Sequence, residues 1–198
     1  MIFEKRRLMI KRLFDIIVSA LLLVALLPIL VVLAILIRLD SKGAVIYCQE
    51  RLGRGAKPFT IYKFRTMVDN AENETPLLAK EGDPRITRVG KLLRRYHIDE
   101  LPQLWNVLIG EMSFVGPRPE RKYYVEQILK QAPEYSRLFD IRPGISSLGT
   151  VKYGYASNID QMIERMNYDL KYIDNASLAT DAKILILTLT TLLTGNGL

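Results

Sequence analysis

Cysteine and histidine are nearly missing from this chain of 198 residues, which holds one of each, Cys48 and His97. A lone cysteine excludes an internal disulfide and any multi-cysteine metal site, and it suits a reducing, cytosolic environment. Cys48 reads as a small half-buried apolar residue. A lone histidine excludes a zinc site built on several histidines and argues against a histidine triad, so His97 reads as a surface or boundary ring. Walker A, His-Glu-x-x-His and Gly-x-Ser-x-Gly patterns are absent, as are internal repeats and low-complexity stretches. Acidic charge is in deficit: 21 Asp+Glu stand against 28 Lys+Arg, a net charge of +7. Such a balance favours phosphate-rich partners, whether anionic lipid, nucleotide or nucleic acid. The length allows one domain rather than two.

Hydrophobicity is not spread evenly. Hydrophobic residues make up 49% of the chain, and the uncharged run Ile16–Ile37 concentrates them. As a straight helix it would reach roughly 33 Å, enough for a hydrocarbon core of about 30 Å. It is too long for a signal-peptide core, and no small-residue cleavage site follows. Lys5, Arg6, Arg7, Lys11 and Arg12 precede it, while Arg38, Lys42, Arg51, Arg54 and Lys57 follow. A single span cannot put both basic flanks on the cytoplasmic side. Pro28, near the middle, removes a backbone hydrogen bond and disfavours a straight helix. These features predict a re-entrant helix-break-helix that enters and leaves on one face. Residues 1–40 thus form a basic N-terminus and membrane hairpin, and residues 41–198 a catalytic domain at the interface.

The second unit reads as α+β and predominantly helical. Ala44–Gln49 and Phe59–Phe64 form a short β-hairpin around the basic loop Arg51–Lys57. Met67–Asp83 reads as a helix followed by a mobile loop. From Ile86 a helix begins, with Val89, Leu92 and Leu93 on one face and Arg88, Lys91 and Arg95 on another. That basic face suits water or anionic headgroups equally. Leu101, Leu104, Trp105 and Leu108 form the buried stripe of the next helix, with Asp99 at its N-cap and Pro102 in its first turn. Tyr123–Gln131, Asp160–Asp174 and Ala179–Leu193 read as further helices, the last packed on the domain or the interface.

Asp99-Glu100 is the strongest local signal for chemistry. At a helix start the dipole would favour their ionised forms, which suit Mg²⁺ ligation or attack on phosphorus, though plain capping explains the pair as well. Arg118 sits between two prolines in Gly116-Pro-Arg-Pro119, so its guanidinium is carried on a stiff ribbon suited to a phosphate or to a structural turn. Lys63 and Arg65 share one face of an edge strand. Arg88 and Arg142 are further basic groups with the same ambiguity.

Taken together, these motifs resemble the small monotopic polyprenyl-phosphate phosphoglycosyl transferases, the bacterial sugar transferases. The resemblance runs from Lys11-Arg-Leu-Phe-Asp-Ile through Lys63-Phe-Arg-Thr-Met67 and Asp83-Pro-Arg-Ile-Thr-Arg-Val-Gly90. It continues in Asp99-Glu-Leu-Pro-Gln-Leu-Trp-Asn106, Gly110-Glu-Met-Ser-Phe-Val-Gly-Pro-Arg-Pro119 and Arg142-Pro-Gly-Ile145, and ends in Tyr168-Asp169 and Ser177-Leu178.

That resemblance implies transfer of a phosphosugar from a UDP-sugar to polyprenyl (undecaprenyl) phosphate, releasing UMP. Asp99 would be the nucleophile, forming an aspartyl-phosphosugar. Glu100 would share Mg²⁺ with it. Arg118 would bind phosphate, with Lys63, Arg65, Arg88 and Arg142 as further candidates. The expected location is the cytoplasmic face of the bacterial inner membrane, among phospholipids and without nucleic acid, with a homodimer left open. The chain resembles the short catalytic-core form of the family. Leu52 stands where the family often has proline, and His97 where a small hydroxyl residue is common. Both positions bear on sugar or nucleotide preference. Two other classes compete: a non-catalytic membrane-anchored module that binds lipid or a partner, and a membrane phosphohydrolase with water as acceptor.

Overall fold

The computed structural model describes residues 2–69, 71, 76–78 and 82–194. Helices dominate, with two small two-stranded sheets. The first element, α1, runs from Ile2 to Asp40 as one helix with Pro28 inside it. The expected interruption at Pro28 is therefore not a gap in helical structure. Among the described residues α1 is the one helix long and apolar enough to cross a membrane, and only 6% of that segment is buried by protein. So large an apolar surface needs a covering, and lipid supplies it.

Both ends of α1 are tied to the rest of the chain. Near its start, Lys11 donates to the carbonyl of Val115 at 2.8 Å and to Asp181 at 2.7 Å, and Arg7 donates to the carbonyl of Ala176. Arg12 donates to the carbonyls of Val107 at 2.6 Å and Leu108 at 2.8 Å, closing the end of a later helix. Asp15 accepts from the backbone N–H of Phe114. At the far end, Ile37 packs with Phe64 and Leu93, while Asp40 accepts from the N–H of Val89. These basic side chains are clamps as well as membrane flanks.

After α1, strands β1 (Ile46–Leu52) and β2 (Pro58–Phe64) pair antiparallel, as the alternation predicts. Cys48 lies exposed on β1, not half-buried, on the same face as the exposed Ile46 and Glu50. No helix follows directly: in the described part of Met67–Asp83, Met67 instead makes an isolated bridge with Ile86. Residues 70, 72–75 and 79–81 of that expected helix and loop lie outside the described residues. Helix α2 (Arg88–Arg95) is capped by Thr87, whose hydroxyl accepts from the N–H of Gly90. It buries Gly90 and Leu93 and leaves Leu92 exposed, so the docked face is rotated from the expected stripe. Gly90 sets the rotation, since a Cβ there would lie 2.1 Å from the carbonyl oxygen of Thr66.

Helix α3 (Gln103–Ile109) is likewise turned. Leu104 and Val107 are buried, but Trp105 is 49% exposed. The polar Asn106 takes the inward position because its amide donates to the carbonyl of Thr60 and its oxygen accepts from the N–H of Tyr62. Strand β3 (Ser113–Val115) pairs in parallel with β4 (Gly144–Ser146), a sheet too short for its period to register in the sequence. Between them, α4 (Lys122–Gln131) and a 3₁₀ segment, Pro133–Asp140, pack on α6 (Ile159–Asp174) through Tyr124, Ile128, Tyr135 and Met166. Short α5 (Leu148–Tyr153) and α7 (Leu178–Thr194) complete the domain, with Ile184 of α7 buried beside Val115 and Tyr172.

Candidate active site

The acid pair does not start α3. Asp99 and Glu100 lie in a 3₁₀ turn, Ile98–Glu100, and α3 begins only after Pro102. Proline has no N–H to donate, so the chain closes the tighter turn first, with the N–H of Glu100 on the carbonyl of His97. His97 precedes the turn in the left-handed region, at φ 54. Asp99 is thus no N-cap. A dipole that would lower its pKa is replaced by burial that raises it.

The two acids have opposite surroundings. Glu100 Oε1 accepts from Lys63 Nζ at 2.6 Å and from Arg118 Nη2 at 3.2 Å. Burial alone would raise its pKa, but these two cations more than offset that and hold it below the usual carboxylate value. Among the described residues no cation makes an ion pair with Asp99. Burial pushes Asp99 up to about 6, with the Glu100 charge adding to the shift and Lys63, Arg94 and Arg118 opposing it. Such a carboxylate is a stronger base than an ordinary one, and no cation among the described residues pairs with it, a setting that suits attack on an electrophile.

Both acids line a cavity of about 370 Å³ between the hairpin, the α2–α3 segment and α6. Arg118 reaches it from the segment after β3, with its guanidinium 5.6 Å from the ring centroid of Tyr155. The same ring is also met by His97, stacked at 5.7 Å and joined to the Tyr155 hydroxyl through Nδ1 at 2.9 Å. Burial holds His97 below its ordinary pKa; Glu100 opposes this, and Arg118 and Lys63 reinforce it. Behind Arg118, Glu120 takes Arg51 at 3.0 Å and Arg165 at close range, so its one negative charge is shared between two cations and the cluster keeps a net positive charge. Asp169 of α6 accepts from the backbone N–H of Arg118 at 3.3 Å and from that of Gly149 at 2.8 Å, fixing the ribbon that carries the arginine.

Of the residues singled out in the sequence, Asp99, Glu100, Arg118, Lys63 and Arg65 come together around this cavity. Arg88 and Arg142 are not part of its lining. Arg88 is exposed on α2, and Arg142 donates through Nε to the carbonyl of Gly110 at 2.8 Å. Sequence patterns alone do not single out Arg94, Tyr155 or the Glu120 cluster. Glu120 directly follows the Gly-Pro-Arg-Pro segment, a usable hint, whereas nothing near Tyr155 marks it.

Among the described residues no three His, Cys, Asp or Glu side chains gather as a closed metal site. A hard cation here would rest on Asp99 and Glu100 and take its remaining ligands from a substrate's phosphates and from water.

Comparison with known proteins gives the family to which this site belongs. The profile described as bacterial sugar transferase matches residues 6–195. A UDP-N-acetylgalactosamine-undecaprenyl-phosphate N-acetylgalactosaminephosphotransferase of Aeromonas hydrophila is 43% identical over 188 residues, covering 95% of this chain and 44% of that protein. A UDP-glucose:undecaprenyl-phosphate glucose-1-phosphate transferase of Caulobacter vibrioides is 40% identical, covering 93% of this chain and 70% of that protein. An exopolysaccharide production protein, PSS, of Rhizobium leguminosarum bv. phaseoli is 39% identical, covering 96% and 98% respectively. The chain therefore spans less than half of the Aeromonas relative and nearly all of the Rhizobium one.

Proposed function

The chain belongs to the bacterial sugar transferase family, and from that premise we propose that it moves a phosphosugar from a UDP-sugar to polyprenyl phosphate. The observation that carries this reading is the division of the acid pair. Lys63 and Arg118 occupy Glu100, while Asp99 makes no ion pair among the described residues of a cation-rich cavity. In the first displacement an Asp99 oxygen attacks the sugar-linked phosphorus, and the bond to the UMP oxygen breaks. In the second, a phosphate oxygen of the lipid attacks the aspartyl-phosphosugar, and the Asp99 carboxylate leaves. The products are UMP and polyprenyl-diphosphate-sugar.

Arg118 and Lys63 neutralise the phosphates so that an anionic nucleophile can approach. Mg²⁺ would be held by Asp99 and the free oxygen of Glu100, and would add charge stabilisation at the diphosphate. The residues fit that role only with substrate present, which accords with a pair of carboxylates rather than a closed cage.

The reaction is assigned to the cytoplasmic face of the membrane, with α1 as a re-entrant element. Support comes from the contacts at both of its ends. Lys11 and Asp15 on one side of the apolar run, and Ile37 and Asp40 on the other, dock on the same domain. A spanning helix would separate those ends by a hydrocarbon layer of about 30 Å.

The test is UMP release from a panel of UDP-sugars, with and without polyprenyl phosphate. Continuous release only when lipid is present, with sugar appearing in the lipid fraction, supports the transferase. Continuous release without lipid would instead show a phosphohydrolase, and no release with any donor a binding module.

A further inference from the structure

The cations around the cavity are not equally occupied. Arg118 and Lys63 are paired with Glu100, and Arg51 and Arg165 with Glu120. Arg65 and Arg94, on the side where α2 docks against the end of α1, have no such acid among the described residues. Asp69 also lines this side but makes no ion pair with either within the described residues.

Arg65 is 7% exposed, and its Nη2 donates to the carbonyl and hydroxyl of Ser41 at 2.6 and 2.9 Å. Its Nε and Nη1 are buried with no hydrogen-bond partner among the described residues. Buried guanidinium N–H groups left without an acceptor are costly, and a phosphate oxygen is an acceptor that would satisfy them. Arg94 is anchored through Nε to the hydroxyl of Thr66 at 2.8 Å, and its terminal nitrogens hold nothing among the described residues. Its charge reaches Asp99. Residues 65 and 66 are adjacent in the chain, so the two guanidinium groups flank one short stretch of the cavity wall.

Position says which anion belongs there. Ser41 is the residue directly after α1, and Leu93, beside Arg94, packs on Ile37 of α1. A phosphate held by Arg65 and Arg94 would therefore sit where the chain leaves the apolar segment, and a lipid tail attached to it could stay in the bilayer. The nucleotide of a soluble donor has no need of that position. Resting on the transferase reading above, we propose that Arg65 and Arg94 form the subsite for the phosphate monoester of the polyprenyl acceptor. The donor diphosphate is left to the Arg118–Lys63 side. A phosphate oxygen at Arg65 and Arg94 attacks the phosphorus of the aspartyl-phosphosugar. The new P–O–P bond forms as the bond to Asp99 breaks, and the electron pair returns to the Asp99 carboxylate.

The experiment measures the two displacements separately on the full chain in nanodiscs. Single-turnover UMP release without acceptor reports the first. The KM for undecaprenyl phosphate, at saturating UDP-sugar, reports the second. Arg65→Lys keeps the charge but loses the planar fork, and Arg94→Gln removes a charge that pairs with no acid among the described residues. Each should raise the KM for undecaprenyl phosphate about tenfold or more, while the KM for UDP-sugar moves by less than about threefold. Inorganic phosphate should compete with undecaprenyl phosphate in the wild type and lose that effect in Arg94→Gln, which separates headgroup recognition from recognition of the tail. If Arg65→Lys loses the wild-type thermal transition, Arg94→Gln decides by the same two constants. A raised KM for UDP-sugar, or a lost UMP burst, with an unchanged acceptor KM would overturn the proposal. Absence of a UMP burst from the wild type would overturn the transferase reading itself, an outcome distinct from a misplaced acceptor.

Discussion

Lys63 Nζ lies 2.6 Å from Oε1 of Glu100, and this contact leaves the adjacent Asp99 free. Both acids are buried to a similar degree, so burial alone would push both pKa values upward. Lys63, with Arg118 at 3.2 Å, reverses that push for Glu100 but not for Asp99. One carboxylate is thereby a fixed anion, and its neighbour is a basic one that makes no ion pair among the described residues.

The pH dependence follows from this asymmetry. Asp99 must be ionised to attack, and its pKa stands at about 6, raised chiefly by burial. Activity should thus be full above that value and fall as pH drops through it. The acid limb of kcat/KM for UDP-sugar should have its midpoint near about 6. Lys63→Met removes a charge that lowers the Asp99 pKa, so the limb should move to higher pH. A limb that stays in place, or moves down, would contradict the assignment.

Arg118→Lys keeps the charge beside Glu100 but loses the planar fork and the guanidinium above Tyr155. Loss of a two-pronged phosphate contact of about 1.5–3 kcal/mol corresponds to roughly a 10- to 150-fold fall in kcat/KM for UDP-sugar. Full activity in Arg118→Lys would reduce Arg118 to a structural partner of Glu100.

Much of this site is legible in the amino-acid sequence. The hairpin, α4, α6 and α7 follow from periodicity, and each lies within a few residues of its expected bounds. What periodicity does not give is the rotation of α2 and α3. There, Gly90 and Asn106 turn inward because of a close backbone approach and a set of hydrogen bonds to β2, not because of hydrophobicity. The β3–β4 pair is equally hidden, since three residues carry no period. Its signal is present as two separate glycine motifs, Gly116-Pro-Arg-Pro119 and Arg142-Pro-Gly-Ile145. Arg94 escapes notice because the basic residues of α2 read as one exposed face, whereas Arg94 turns toward the cavity.

Those two motifs are one packed unit, which gives a stability prediction. A Cβ on Gly144 would lie 2.1 Å from the backbone nitrogen of Gly116. Gly144→Ala must push β3 and β4 apart and displace Arg118 downstream. It should cost about 2–3 kcal/mol, visible as a lower midpoint in thermal melting. An unchanged midpoint would mean that the two strands do not approach so closely.

Topology is open to chemical labelling. Cys48 is exposed, so a Cys48→Ser background is required before a single reporter cysteine is placed at Ile2. The re-entrant arrangement proposed above predicts that, in intact cells, a membrane-impermeant maleimide leaves that reporter unlabelled. Pro28→Ala should straighten the helix and make a fraction of molecules reactive. Labelling of Ile2→Cys with Pro28 intact would refute the re-entrant arrangement and leave the chemistry untouched.

The most direct test of the central claim is the mass of the protein after rapid mixing with a UDP-sugar that it accepts, in the absence of polyprenyl phosphate. Wild type and Asp99→Asn are compared side by side. Asn keeps the size of the side chain but is a far weaker nucleophile. The wild-type peptide that contains Asp99 should gain one phosphosugar, with an equal quantity of UMP, and lose that adduct when polyprenyl phosphate is added. Asp99→Asn should show neither adduct nor UMP and retain less than about a tenth of wild-type turnover, a barrier increase above ~1.4 kcal/mol. An adduct on another residue, or an Asp99→Asn variant that turns over at the wild-type rate, would contradict that claim.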